Sequence, residues 1–409
     1  MPPVRRRAPV APRAAAGVTA ARRAAYAVVL RVLAEGAYAD RALHGEARDL
    51  APRDRAFAKQ LAFGTVQRRL TLDHIIDART KGRLEPGVRA ALQLGLFQLL
   101  FLEGVADHAA IAEAVELAKP SPGHRLVNAV LRRVQREGAE LPDDTTIAGA
   151  AIRHSHPEWL VALWWDALGP DATRALLAAD NVPAELALRV NPLVDFDLSD
   201  IPGRREGEAI VVDGPFDALA HPGYAAGAFT PQSRASQLVG RTVDPQPGER
   251  VLARCAAPGG KTTHLAALMG NTGEVVAVER HAGRADALRA TVERMRASCV
   301  RVVTADARAF SEKGGFDRVL LDPPCSGLGT LQSHPDLRWR ATPESIEGLV
   351  AEQDALLAAA RHALRPGGVL VYSICTISPA EERLRVPEPI RTFPHEHGTD
   401  GFYIARDGG

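Results

Sequence analysis

The chain has 409 residues, of which 46% are hydrophobic and 24% charged, and its formal net charge is +1. These are ordinary globular proportions; they exclude an unstructured or collagen-like chain and, at ~100–200 residues per domain, point to two or three domains. No uninterrupted apolar run approaches the ~18 residues that cross a bilayer, and MPPVRRRAPVAPRAAAGV lacks the apolar core of a signal peptide, so a cytoplasmic protein without a membrane partner is expected.

The charge is uneven along the chain. Residues 1–150 carry 23 Lys and Arg against 16 Asp and Glu, a basic front half that suits a polyanionic partner such as nucleic acid. Residues 1–20, rich in Pro, Ala and Arg, read as a disordered basic tail. From 21 to about 140 the pattern is helical throughout. AARRAAYAVVLRVLAEG sets Val29, Leu30 and Leu33 on one side and stops at Gly36, and VRAALQLGLFQLLFLEG is apolar nearly all round, as a central buried helix would be. HAAIAEAVELAK and HRLVNAVLRRVQREG complete an expected bundle. Arginine pairs at 22–23, 68–69 and 132–133 lie on these helices.

Residues 141–225 mix helical runs (HPEWLVALWWDALG, ATRALLAADN) with short strands (ELALRVNPLVD, AIVVDG) and read as a small α+β connector. From 226 to 409 strands alternate with helices. RVLARCAAPGGKTTHLAALM is strand, glycine loop and helix; GEVVAVER, VRVVTADARAF, FDRVLLDPPC and VLVYSICT are further strands, with helices between most of them. That rhythm predicts a doubly wound, mostly parallel α/β sheet, whose ligands bind at the carboxyl ends of the strands.

The unusual residues fall at those ends. In the loop Cys255, Ala256, Ala257, Pro258, Gly259, Gly260 and Lys261, small residues let backbone approach a ligand, and the following helix N-terminus offers free N–H groups. A nucleotide-hydrolysing phosphate loop would need glycine at Cys255. Glu279 ends the next strand, where a carboxylate accepts ribose hydroxyls, and Asp306 ends the third, where it could meet an adenine amino group. Together they favour an adenosine-bearing cofactor. Asp322 and Cys325 close the fourth strand and Cys375 a later one, which aims two thiols and a carboxylate at one crevice and suits thiolate attack on an electron-poor carbon. The four cysteines show no CxxC pairing, so neither a metal site nor a disulfide framework is expected.

CAAPGGKTTHL, VLLDPPCSGLGT, HPDLRW, LVYSICTISPAEE and HGTDGFYIAR resemble the Nop/Sun family of S-adenosylmethionine-dependent RNA cytosine-C5 methyltransferases. Upstream, DHAAIAEAVELAK and LVNAVLRRV resemble the NusB-like helical domain of that family's RsmB/Sun branch, and HPEWLVALWW and NVPAELALRVNP resemble its connector. The resemblance implies a NusB-like RNA-binding bundle, an α+β connector and a Rossmann-like catalytic domain. It also implies S-adenosylmethionine as cofactor and a cytosine of small-subunit ribosomal RNA as substrate, with the protein acting as a monomer without metal. By position, Cys255 to Lys261 match the cofactor loop, Glu279 the ribose carboxylate and Asp306 the adenine-side acid. Asp322 matches the aspartate shared by cofactor and base, Cys375 the nucleophile and Cys325 the cysteine that assists release.

The sequence departs from the family pattern in places. Ala253-Arg254 stands where an acidic residue usually precedes the loop cysteine, Glu279 replaces the commoner Asp, and DPPC carries a proline where a small residue is commoner. The stretch after Glu381-Glu382 is short, which predicts loss of a strand and a helix from the catalytic sheet. Two other readings follow from these residues: an RNA-binding or assembly protein whose methyltransferase domain is degenerate, and a DNA cytosine-C5 methyltransferase using Cys325 as nucleophile.

Overall fold

Helix formers broken by Gly and Pro divide the front of the chain into short helices rather than one long rod. In the computed structural model, which describes residues 17–119 and 121–408, these are α1 (Ala20–Glu35), α2 (Ala39–Glu46), α3 (Pro52–Gln67), α4 (Arg69–Asp77), α5 (Pro86–Phe101), α6 (Asp107–Ala118) and α7 (His124–Glu137), followed by α8 (Ile147–His154), α9 (Glu158–Leu168) and α10 (Pro170–Ala179). The basic tail expected over 1–20 lies outside the described residues as far as residue 16. Contacts group the chain into two units, one running to Val182 and including Leu331–Arg340, the other comprising Pro183–Thr330 and Ala341–Gly409. The expected connector, 141–225, thus holds α8–α10, which belong to the first unit, and strands that belong to the second.

In the first unit α5 is the central helix, buried from Val88 to Gln98 on most of its surface. On α1 the inward residues are Ala25, Val28, Val29 and Val32; Leu30 and Leu33, expected on that face, are only partly buried against it. Of the paired arginines, Arg22 is buried, bound to Glu113 at 2.7 Å and to Gln98 at 2.6 Å, whereas Arg23, Arg132 and Arg133 are exposed.

The short helix α15 (Leu337–Arg340) packs within the same unit and buries Arg338 completely. Its guanidinium donates to the carbonyls of Gln67 (3.3 Å), Ser155 (3.0 Å) and Asp180 (3.2 Å). These are carbonyls at the C-terminal ends of α3, α8 and α10, groups that a helix leaves without internal partners.

The second unit opens with β1 (Ala187–Val190), β2 (Gly203–Glu206), β3 (Ala209–Val212), the turn α11 (Pro222–Ala225) and β4 (Phe229–Pro231), an antiparallel sheet of order β2-β3-β1-β4. After α12 (Arg234–Val243) come β5 (Arg250–Arg254), α13 (Gly260–Leu268), β6 (Glu274–Glu279), α14 (Ala282–Arg294), β7 (Val300–Thr304) and β8 (Phe316–Leu321). The chain ends with α16 (Pro343–His362), β9 (Leu364–Ile374), β10 (Ile390–Thr392), α17 (Pro394–His397) and β11 (Phe402–Asp407). The second sheet runs β10-β11-β9-β8-β5-β6-β7. Its pairs from β7 to β9 are parallel, and β11 is antiparallel to both neighbours.

This is the expected Rossmann-like class with one correction. The shortened stretch after Glu382 keeps its strand as the brief edge strand β10. Between β9 and β10 the connection has contracted to the 3-10 turn Pro379–Glu381. No helix among the described residues is long and apolar enough to cross a membrane.

Close packing in the bundle depends on Gly95 of α5. A Cβ there would lie 2.7 Å from Leu131 Cδ1 and 3.1 Å from the Ala114 Cβ, so α6 and α7 can approach only because the side chain is absent. Gly95→Val should therefore cost about 1–3 kcal/mol, measured as a lower midpoint in thermal unfolding. An unchanged midpoint would show that the three helices do not rely on this contact.

Candidate active site

Parallel pairing aligns the strand ends. Arg254 lies opposite Val278 on one side and Leu321 on the other, Glu279 opposite Thr304, and Leu321 opposite Tyr372. Residues that follow these positions therefore emerge at one edge of the sheet: Cys255, Glu279, Asp306, Asp322 and Cys375.

The loop after β5 turns sharply. Cys255 takes φ 58°, in the left-handed region, and Gly259 takes φ 109° at the N-cap of α13. A Cβ on Gly259 would lie 2.7 Å from Leu288 Cδ1, so this position admits only glycine without displacement. Arg284 Nη2 donates to the Ala257 carbonyl at 2.9 Å. From β1 the buried Arg189 donates to Gly260 O (3.3 Å) and Thr263 Oγ1 (3.0 Å), fixing the start of α13. The unusual Arg254 is buried too; its Nη2 donates to the Phe310 and Ala359 carbonyls at 3.1 Å, and burial lowers it to about 10. Its Nε and Nη1 have no partner among the described residues.

A cleft open to solvent is lined by Cys255, Glu279 and Asp306 of the expected set. Apolar Val278, Ala307, Pro324 and Leu356 complete walls on which a purine ring can lie. The Glu279 side chain is 3% exposed; Oε1 accepts from His281 N at 3.0 Å and Oε2 is 3.7 Å from Arg284 Nε. Acceptor capacity remains for a diol. Asp306 is paired within its own loop. Arg308 wraps it through its backbone N–H (2.9 Å), Nε (3.0 Å) and Nη2 (2.6 Å), which holds the carboxyl down at about 2.

Beside this cleft, Asp322 Oδ1 accepts from Lys261 Nζ and from Ser373 Oγ (3.2 Å). Lys261 Nζ also stands 5.0 Å from the centre of the Phe402 ring. The cofactor-loop lysine is thus directed at the aspartate expected to meet the substrate. Cys325 Sγ and Cys375 Sγ are 3.4 Å apart. The Cys375 neighbour, then burial, push the Cys325 thiol well up, so Cys325 stays protonated. Burial, reinforced by the carboxylates of Asp322, Glu279 and Glu352, pushes Cys255 up to about 12. Among the described residues no group of His, Cys, Asp and Glu is placed to hold a metal ion.

Three family models match in chain order: the NusB family over residues 19–136, the ferredoxin-like domain of RsmF/B-like methyltransferases over 156–195, and 16S rRNA methyltransferase RsmB/F over 241–392. The chain is 36% identical over 418 residues to the probable ribosomal RNA small subunit methyltransferase B of Synechocystis, covering 90% of this chain and 93% of that protein. It belongs to the RsmB/F family of ribosomal RNA methyltransferases. The ribosomal RNA small subunit methyltransferase B of Vibrio cholerae is 32% identical over 422 residues, covering 94% and 96% of the two chains. The crystal structure of PH0851 superposes with a TM-score of 0.76 at 25% identity, covering 96% of this chain and 99% of that one. The RsmB/F family is S-adenosylmethionine-dependent, and the cleft suits that cofactor: a buried carboxylate for the ribose, apolar walls for the base and an acidic lining for a sulfonium.

Residues that sequence reasoning missed are the supports. Arg284 and Arg189 bind the loop after β5, and Gln353 and Glu381 the loop after β8, yet each is a charged or amide residue in an unremarkable run, and only the fold brings it there. At pH 8, iodoacetamide should alkylate Cys255 slowly, at a rate rising about tenfold per pH unit toward pH 12, because only the thiolate reacts. Fast labelling at neutral pH, located by peptide mass, would contradict the raised value.

Proposed function

We propose that the protein methylates C5 of a cytosine in small-subunit (16S) ribosomal RNA, through a covalent bond between Cys375 and C6 of the base. The observation that carries this reading is the pair of sulfurs 3.4 Å apart at the ends of adjacent strands, beside Asp322. One thiol alone could be structural; two in contact, next to a carboxylate at a cofactor cleft, match a reaction that needs both a nucleophile and a proton carrier.

Cytosine C5 is a poor nucleophile. When the Cys375 thiolate adds to C6, electron density moves onto C5 and N3, and a group that hydrogen-bonds N3 lowers the barrier. Asp322, protonated on its free oxygen, donates to N3 and recovers the proton when C5 attacks the methyl group, while Lys261 and Ser373 fix the direction of its carboxyl. S-adenosylmethionine, when bound, supplies the electrophilic methyl group that C5 takes. The adduct then loses the C5 proton and the S–C6 bond breaks. Cys325 serves this step by passing its proton to the departing Cys375 sulfur and taking up the proton released from C5; Cys375 then gives one proton to solvent, the proton that replacing H by CH3 releases, before it attacks again. The target base must first leave its stack, at a cost of a few kcal/mol. In the front unit, exposed arginines such as Arg23, Arg132 and Arg133 supply phosphate contacts that hold RNA without reading sequence.

Cys375→Ala should abolish methyl transfer. Cys325→Ala should accumulate a protein–RNA adduct that survives denaturation, visible as a band of retarded mobility. Full activity in the first variant, or activity without adduct in the second, would reverse or remove these roles. Glu279→Ala should weaken S-adenosylmethionine binding by about 10–100-fold, the worth of a hydrogen bond to a charged group; calorimetry checks this, and an unchanged affinity would move the ribose elsewhere. Bisulfite mapping of 16S ribosomal RNA from cells with and without the protein should show one protected cytosine lost in its absence. No change at any cytosine would reject the substrate.

A further inference from the structure

Behind the two thiols lies a charged side chain with no part in the chemistry above. Glu381 closes the 3-10 turn after β9 and is fully buried. Its Oε1 accepts from Ser326 N (2.9 Å) and Gln353 Nε2 (3.1 Å), and its Oε2 from Ser326 Oγ (2.5 Å) and Thr376 Oγ1 (3.3 Å). Ser326 follows Cys325 and Thr376 follows Cys375, and their hydroxyls also meet each other at 2.7 Å.

The frame extends on both sides. Gln353 of α16 donates to the Pro324 carbonyl at 2.9 Å, so the residues on either side of Cys325 are both held. The Tyr372 hydroxyl donates to the Glu381 carbonyl (2.8 Å) and lies 3.2 Å from Gln353 Oε1, which ties β9 into the same set. Farther along, Gly329 N donates to the Cys375 carbonyl at 3.1 Å. A carboxylate can accept about four hydrogen bonds, more than a neutral amide or hydroxyl of similar size, and four converge here. That accounts for an acid at a position with no cationic partner among the described residues. Its charge also adds to the forces that keep Cys325 protonated.

We propose that Glu381 is a positioning residue, which sets the spacing of Cys325 and Cys375 by gathering Ser326 and Thr376 onto one carboxylate. The proposal rests on the reading that these two thiols are the reacting groups. It is tested in the full chain with Glu381→Ala and Glu381→Gln, by two readouts. The first is steady-state methylation. A displacement of the order of 1 Å costs about 100-fold in rate, so kcat should fall by about that factor in Glu381→Ala while KM for RNA and the affinity for S-adenosylmethionine hold. Glu381→Gln, which keeps one carbonyl oxygen for Ser326 N, should recover part of the loss.

The second readout needs no RNA. Diamide oxidises the Cys325 and Cys375 thiols to a disulfide, taking up their two electrons and two protons as it becomes the hydrazine; the rate, followed by mass and divided by the iodoacetamide alkylation rate of the same thiols, which carries any change in thiolate fraction, reports how often the sulfurs meet. It should fall clearly in Glu381→Ala and less in Glu381→Gln. A merely structural residue would lower the thermal midpoint and cofactor affinity but leave the oxidation rate of folded protein at the wild-type value, and that result overturns the proposal. If Glu381→Ala does not fold, the same comparison is made with Glu381→Gln. Slowed oxidation in a protein that shows no RNA methylation would uphold the positioning role while rejecting the proposed reaction.

Discussion

The side-by-side parallel pairing of β8 and β9 is the constraint on which the site depends. With Leu321 opposite Tyr372, the next residues, Asp322 and Ser373, face each other across the strand ends and bond at 3.2 Å. The loops that continue from them bring Cys325 and Cys375 into sulfur contact although they are 50 residues apart in sequence. A register slip would send every side chain of β9 to the opposite face of the sheet. The core prevents that: Tyr372 and Ile374 belong to the buried cluster on the α16 side, and Val371 to the cluster on the other.

Charge is distributed around this pairing in two zones. Along the cleft, Glu279 is buried at the end of β6, and Asp306 is balanced by Arg308. At the ends of β8 and β9, Lys261 pairs with Asp322, which also accepts from the Ser373 hydroxyl. In the proposed reaction, the Lys261–Asp322 pair and the protonated Cys325 thiol beside Cys375 are the proton carriers that addition to a pyrimidine and its reversal need. The buried Arg189 and Arg254, by contrast, bind carbonyls, hydroxyls and an amide, and their role is to hold the β5–α13 turn and the adjoining loops.

The alternation of strands and helices was legible from Arg250 to Cys375 because each element is a periodic or continuous apolar run bounded by Gly, Pro or an acid. The ends of those strands could therefore be counted, and Cys255, Glu279, Asp306, Asp322 and Cys375 stood out by position. What stayed hidden depended on partners distant in sequence. Arg22 looks like half of a surface pair until Glu113 and Gln98 are brought beside it. Asp306 looks free until Arg308 folds back. Strand β10 is three residues long and carries no pattern of its own; it exists because β11 offers it an edge. Glu381, in SPAEE, is indistinguishable from its neighbour Glu382 in sequence, and only the packing of α16 against the turn separates a buried acceptor from a half-buried acid paired with Arg391.

The decisive measurement is the identity of the atom that bonds the base. With 5-fluorocytidine at the target position, C5 has no proton to lose, so the S–C6 bond formed during methylation persists. After incubation of the wild-type protein with such an RNA and S-adenosylmethionine, digestion and peptide mass analysis should find the nucleoside attached to Cys375. Attachment to Cys325, or to neither thiol while unsubstituted RNA is methylated normally, would contradict the account.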